Sequence, residues 1–302
     1  MTKRPLILIV LTLGIVSIST ASIFIKLCPD APPVVIASAR LGIASLILVP
    51  GAIAVKGRKL FGVPRYYFKY ILLSSIFLSA HFLLWITSLK YTSVLSSVTI
   101  VASNPIFVGF ASYVLFNEKV HRYLFFGILL GVAGVILIAF SDMQTGPGLL
   151  YGDFLSLGGA VMASSYFLIG RKVRKKVNLF SYITLVYTIT ALILVGIVFI
   201  MGRGFSGYHQ STYIYLILLA IFPQLIGHSA LNWSLRYVTA TMVAVFVLGE
   251  PIGSSILAYF FLNETVTLIQ IFGGILILSG IFMSLLEPSI MPPTPPITER
   301  MR

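Results

Sequence analysis

The sequence predicts an all-α membrane protein of ten transmembrane helices. They form two inverted five-helix repeats around a central cavity, with the N- and C-termini cytoplasmic. Three observations carry this expectation. The 302 residues are 58% hydrophobic and only 10% charged. Ten apolar stretches of membrane-crossing length follow one another with short connections. A set of residue pairs recurs 146 positions apart.

Composition comes first because it selects the solvent. A soluble domain carries about 25% charged residues to cover its surface; this chain cannot, so most of its surface must meet lipid. The net charge of +13 would suit nucleic acid, but the basic residues sit in short loops between apolar stretches, which fits a membrane face instead. No nucleic-acid partner is expected. Cys28 is the single cysteine, so no internal disulfide and no multi-cysteine metal site can form. Lys3 and Arg4 before an apolar run resemble a signal peptide. The run from Leu6 to Leu27 is too long for that, and Lys26 stands where a lipoprotein cleavage box needs a small residue. It is therefore expected to be a retained first helix.

A hydrocarbon core of about 30 Å needs about 20 apolar residues at 1.5 Å each. The stretches 6–27, 34–55, 67–88, 93–115, 123–140, 150–170, 180–201, 213–235, 239–262 and 268–286 meet that need. Connections this short make sequential helices antiparallel neighbours. The tail 287–302 holds five prolines, a density no helix survives, and is expected to be disordered. With the N-terminus inside, seventeen Lys and Arg face the cytoplasm and three, Lys26, Lys90 and Arg203, face out. This positive-inside bias puts both termini in the cytoplasm and requires an even helix count. The expected location is the inner or plasma membrane, as a multi-pass protein.

The repeat pairs Leu89-Lys90-Tyr91 with Leu235-Arg236-Tyr237, Asn104-Pro105 with Glu250-Pro251, and Asn117-Glu118 with Asn263-Glu264. It also pairs Gly127 with Gly273 and Gly134 with Gly280. The expected units are residues 1–146 and 147–286. Five helices per unit is odd, so the second copy must be upside down relative to the first. Inverted repeats meeting at the bilayer midplane suit alternating access around a central site.

Glu250 lies at the centre of the ninth stretch, where a carboxylate is costly unless it faces water or a partner. Its mate Asn104 is central in the fourth. Each precedes a proline, which lacks an N–H and so releases the carbonyl four residues earlier, at Val101 and Val247. Paired breaks at the midplane are what a central binding site needs. Glu250 reads as a group that binds a proton or a cationic part of a substrate; the alternative is a protonated carboxyl that hydrogen-bonds a neighbouring helix. Gln224, His228 and Asn232 recur every four residues on one helix face, as His81, Trp85 and Ser88 do in the third stretch. His81 and Trp85 correspond to His228 and Asn232 at a spacing of 147, one off the main register. These two polar faces suggest walls of one cavity, with titratable imidazoles and a tryptophan able to stack on a cationic or aromatic substrate. Interhelical hydrogen bonds would explain both histidines equally well. Tyr187 with Thr184 and Thr188, and Ser17 with Thr20, are further candidate lining hydroxyls. Arg40 either attracts a carboxylate or snorkels to the outer headgroups. Glu118 and Glu264 read as interfacial anchors. Gly127 and Gly131 have a close-packing spacing that seats one helix on another, within the chain or in a dimer. The run 171–176 reads as a loop that sets topology.

The pattern Asn-Pro or Glu-Pro, then Asn-Glu, then Gly127 and Gly134 or Gly273 and Gly280, resembles the EamA family of the drug/metabolite transporter superfamily. The stretch from His228 to Gly280, with Asn232-Trp233, Glu250-Pro251 and Leu262-Asn263-Glu264, is especially similar to that family's second repeat. Arg40, in Ala39-Arg40-Leu41, also resembles a position of its second helix. The resemblance implies a ten-helix inner-membrane carrier, often an exporter of amino acids or other small metabolites. The expected partners are a small-molecule substrate, the lipid bilayer and protons, in a monomer or homodimer. No cofactor and no metal is expected. The sequence lacks metalloprotease, nucleophile-elbow and phosphate-loop motifs, which argues against an enzyme and against direct ATP coupling. A translocase of lipid-linked head groups and an intramembrane enzyme stay open as alternatives.

Overall fold

The computed structural model describes residues 4–57, 63–116, 122–143, 149–263 and 267–286. Regular structure among them is helical throughout. In chain order the helices are α1 (Arg4–Ser19), α2 (Ala21–Lys26), α3 (Pro33–Lys56), α4 (Arg65–Ser88), α5 (Val94–Val101), α6 (Asn104–Phe116), α7 (Arg122–Met143), α8 (Leu149–Arg174) and α9 (Leu179–Ile200). There follow α10 (Gln210–Leu219), a π-helical segment (Ala220–His228), α11 (Ser229–Ser234), α12 (Ala240–Val247), α13 (Glu250–Leu262) and α14 (Leu268–Leu285). Eight continuous stretches are long and apolar enough to cross a membrane: 4–26, 33–54, 65–88, 94–111, 151–174, 179–200, 210–234 and 240–262. α7 and α14 contribute the shorter apolar stretches Arg122–Leu137 and Ile271–Met283. The expected anchors Glu118 and Glu264, and the proline-rich tail, lie outside the described residues.

Local chemistry explains where the helices begin and end. The side chains of Ser93, Asn178 and Thr239 accept hydrogen bonds from the amides of Ser96, Ser181 and Met242 at 3.0, 3.0 and 3.1 Å. They thereby cap α5, α9 and α12. Ser93 and Thr239 are 146 apart, and the helices they start both stop eight residues later, at Val101 and Val247. The prolines at 105 and 251 offer no N–H to those carbonyls, so the helices end and restart at Asn104 and Glu250. α13 ends on Asn263 in the left-handed conformation (φ 57°), which Asn tolerates well. Several buried serines in the helices bond back to a carbonyl four residues earlier, as Ser75 does to Ile71 at 2.9 Å and Ser164 to Ala160 at 2.7 Å. Their hydroxyls are thus satisfied without water.

Packing joins the two family-like halves. α4 lies along α8, α3 along α9, and α1 along the π segment and α11. At the centre the broken helices cross, α5 on α13 and α6 on α12, while α7 lies along α14. Glycine allows the last pair its close approach. A Cβ at Gly134 would collide with the Gly273 carbonyl, and one at Gly280 would lie 2.5 Å from the Gly127 carbonyl and 2.8 Å from the Gly131 amide. The close-packing glycines therefore seat α7 on α14 within one chain.

The basic run 171–176 is more than a charged loop. Arg174 is 1% exposed. Its Nε donates to the Asn232 carbonyl at 3.0 Å, and a terminal nitrogen donates to the Val177 carbonyl. Lys172 reaches the Tyr70 hydroxyl at 2.9 Å. The sequence marks these residues as cationic, but only the packing shows that two of them tie helix ends together.

Candidate functional site

The two helix breaks face a small central cavity of about 30 Å³. Val101 and Asn104 reach it from the α5–α6 break, and Val247 and Glu250 from the α12–α13 break. α4 contributes His81 and Trp85, and the π segment contributes His228. Five of the eight residues singled out in the sequence therefore meet at one place: His81, Trp85, Asn104, His228 and Glu250.

The other three stand just behind it. Gln224 Oε1 accepts a 2.8 Å bond from Arg40 Nε. Asn232 Nδ2 donates to the Tyr166 hydroxyl at 2.5 Å and to the His228 carbonyl at 2.7 Å, and lies 3.4 Å from the Tyr187 hydroxyl. Tyr187 also pairs with Ser229 Oγ at 3.4 Å. Asn232 and Tyr187 thus hold the wall rather than line it. The candidate hydroxyls at the end of α1 and just after it do likewise: Ser17 Oγ donates to Phe222 O at 2.7 Å and Thr20 Oγ1 to Ser17 O at 2.8 Å.

The histidines are placed by different means. His81 Nδ1 lies 2.9 Å from the Gly159 carbonyl. A carbonyl can only accept, so Nδ1 carries the hydrogen of this bond. Gly159 itself sits against the Trp85 backbone, which brings α8 close enough for this bond. The His81 ring stacks on Trp85 with centroids 5.9 Å apart and planes 4° apart. His228 meets Phe82 edge-on at 5.2 Å.

Arg40 is the residue whose role the sequence left most open, and the structure discards the snorkelling alternative. The side chain has no exposed surface, it lines the cavity, and its guanidinium carbon stands 4.2 Å from the centre of the Phe82 ring. Tyr166 and Phe167 of α8 also line the cavity and were missed. Their only sequence signal is a helix face otherwise made of Gly159, Ala160 and Ala163, small residues that admit a close neighbour.

Several polar atoms at this site lack a partner among the described residues: a terminal nitrogen of Arg40, Trp85 Nε1, Asn104 Oδ1 and His228 Nδ1, with Gln224 Nε2 and Asn232 Oδ1 behind them. A buried polar group left unpaired costs about 1–3 kcal/mol. Unpaired donors and acceptors gathered around one cavity suit a polar ligand. No group of three or more metal-ligating side chains occurs among the described residues.

Comparison with known proteins agrees with this geometry. Residues 5–140 and 150–286 each match the EamA-like transporter family. An uncharacterized transporter of Archaeoglobus fulgidus is 22% identical over 66% of this chain and 70% of its own length. The uncharacterized transporter YyaM of Bacillus subtilis is 22% identical over 80% of this chain and 81% of its own. Solute carrier family 35 member G1 of Mus musculus is 27% identical over 67% of this chain, which spans 57% of that relative. A solved crystal structure shares the fold, with a TM-score of 0.76 at 17% identity, covering 92% of this chain and 96% of that one. The apolar helices and the two family matches make this a multi-pass protein of the plasma membrane. The chain belongs to the EamA-like transporter family.

Proposed function

We propose that the protein is a secondary carrier that exports small metabolites such as amino acids, by alternating access around the central cavity. In this reading ten helices cross the bilayer as two inverted five-helix halves, residues 1–146 and 147–286, with both termini cytoplasmic. Glu250 exchanges a proton or binds a cationic group of the cargo, and His81, Trp85, Asn104 and His228 contact it. Gln224, Asn232 and Tyr187 hold those groups in place.

The observation that carries this reading is the meeting of two proline-linked helix breaks, 146 residues apart, at one cavity with unpaired polar atoms. Broken helices expose backbone and side-chain polar groups at membrane depth, which is tolerated only where they line a protein cavity. Helices freed at a midpoint can also tilt as half-helices, the kind of motion alternating access requires.

Counterflow in proteoliposomes with a labelled pool of amino acids and related metabolites tests it, comparing native protein with Glu250→Gln. Uptake by native protein alone supports a carrier whose cycle needs the carboxylate. Equal uptake by both keeps the carrier and reduces Glu250 to packing. No uptake by either folded protein removes the small-metabolite reading and favours a translocase of lipid-linked head groups.

A further inference from the structure

At the end of the molecule expected to face the cytoplasm, the start of α4 and the end of α8 bring two lysines onto one tyrosine. Lys172 Nζ stands 4.2 Å from the centre of the Tyr70 ring and donates to its hydroxyl at 2.9 Å. Lys69 Nζ lies 5.2 Å from the same ring and 5.1 Å from that of Tyr66, and the two tyrosine hydroxyls are 3.3 Å apart. Ring faces attract cations but do not neutralise them, and two ammonium groups held this close repel. The carboxylates whose side chains are described lie elsewhere. Asp30 and Asp153 are at the opposite end, and Glu250 is at the central cavity. Among the described residues, then, nothing anionic faces the pair. Arg65, one turn before Lys69, is exposed and adds a further positive charge.

The surface that continues from this cluster is apolar. Leu72, Leu73 and Ile76 follow Lys69 by three, four and seven residues, so they share its helix face. They are 42%, 40% and 47% exposed. We propose that this place binds one anionic phospholipid, its phosphate held between Lys69 and Lys172 and an acyl chain lying along Leu72, Leu73 and Ile76. A free phosphate would meet the same lysines but would leave the apolar strip unused, so the lipid is the better fit. Tyr66 and Tyr70, in the first two turns of α4, stand where tyrosine suits the headgroup level. Basic pockets between transmembrane helices on this side of a membrane suit acidic headgroups. Lys69 and Lys172 belong to different family-matched halves, so the headgroup would tie α4 to α8. Those two helices carry His81, Trp85, Tyr166 and Phe167 to the cavity. The inference needs a membrane-spanning chain and is independent of the carrier reading.

The experiment is native mass spectrometry of the whole protein released from mild detergent after addition of phosphatidylglycerol or phosphatidylcholine with the same acyl chains. Native protein is expected to retain phosphatidylglycerol in preference. Lys69→Gln with Lys172→Gln should lower that retention by about fivefold for each lysine removed, the worth of one basic side chain near an anionic surface. Lys176→Gln removes the same charge from an exposed site on the following loop and should retain the lipid as native protein does. Equal retention of the two lipids by native protein overturns the inference with no variant needed. A loss as large in Lys176→Gln also overturns it, because net charge and not a site would then hold the lipid. So does full displacement of the lipid by millimolar inorganic phosphate, which would make the pocket one for a soluble anion. If the double variant does not fold, Lys69→Gln alone carries the comparison, since that ammonium touches only ring faces.

Discussion

Two residues show how alike in sequence a lining group and a supporting group can look. Trp85 presents an indole N–H with no protein partner beside the stacked His81 ring. Trp85→Phe keeps most of that stacking area and removes the donor. It is expected to raise KM severalfold while leaving the melting temperature of the purified protein close to native. Asn232 is the reverse case. Its amide joins Tyr166, Tyr187 and the His228 carbonyl, so Asn232→Ala strands several buried groups and should cost about 1–3 kcal/mol. A clear fall in melting temperature with KM unchanged in the surviving activity is the expected signature. Spacing alone pairs Trp85 with Asn232, one off the main register, and does not tell their roles apart. A reason lies in the π segment around Pro223. A π turn takes more residues than an α turn, so Gln224, His228 and Asn232, though evenly spaced, do not all point one way.

Among helices, the pair α7 and α14 is the most demanding contact. A Cβ at Gly134 or Gly280 would meet partner backbone, and backbone cannot rotate aside as a flexible side chain can. Gly134→Leu and Gly280→Ala are therefore expected to destabilise by about 1–3 kcal/mol or more, in line with overpacking in well-packed cores. Gly274→Ala, where nothing lies within 4 Å, should be nearly silent. Melting curves of the purified variants check the ranking, and a Gly274 variant as damaged as the other two would contradict it. The glycine spacing announced a close approach from sequence. It could not say which surface would be approached, because a small residue marks a gap and not its occupant.

Across the molecule, two carboxylates bridge the family-matched halves at the end expected to face outward. Asp30 accepts from the His209 amide at 2.7 Å and from Thr212 Oγ1 at 2.6 Å. Asp153 accepts from Thr92 and Ser96 hydroxyls at 3.2 and 3.1 Å. The native Cys28 lies just inside the first bridge, buried, with its thiol 3.8 Å from the Thr212 carbonyl. Burial, and then the nearby Asp30 charge, push that thiol up to about 12, so it is unreactive at neutral pH while the bridge is closed. Thr212→Val removes one bond and keeps the Asp30 charge. It should speed labelling of Cys28 by an impermeant maleimide severalfold in right-side-out vesicles; unchanged labelling would mean the bridge does not guard this end. The Thr212 hydroxyl and then the His209 amide hold the Asp30 carboxyl below its ordinary range. These bonds favour the charged form, so the bridge persists at neutral pH and is lost only as pH falls through that lowered value. Native labelling at pH 5.5 should therefore be no faster than at pH 7.

Much of this was legible in residue order because the bilayer imposes one-dimensional rules. An apolar run of about 20 residues must be helix, a proline must break the backbone ladder, and a duplicated chain keeps its register. Helix boundaries, the paired breaks and five cavity residues followed from those constraints. The burial of Arg40, the latching of Arg174, the retreat of Asn232 behind the wall and the arrival of Tyr166 did not. Each depends on which helix lies opposite, at what distance and rotation, and such long-range packing leaves no periodic trace along the chain.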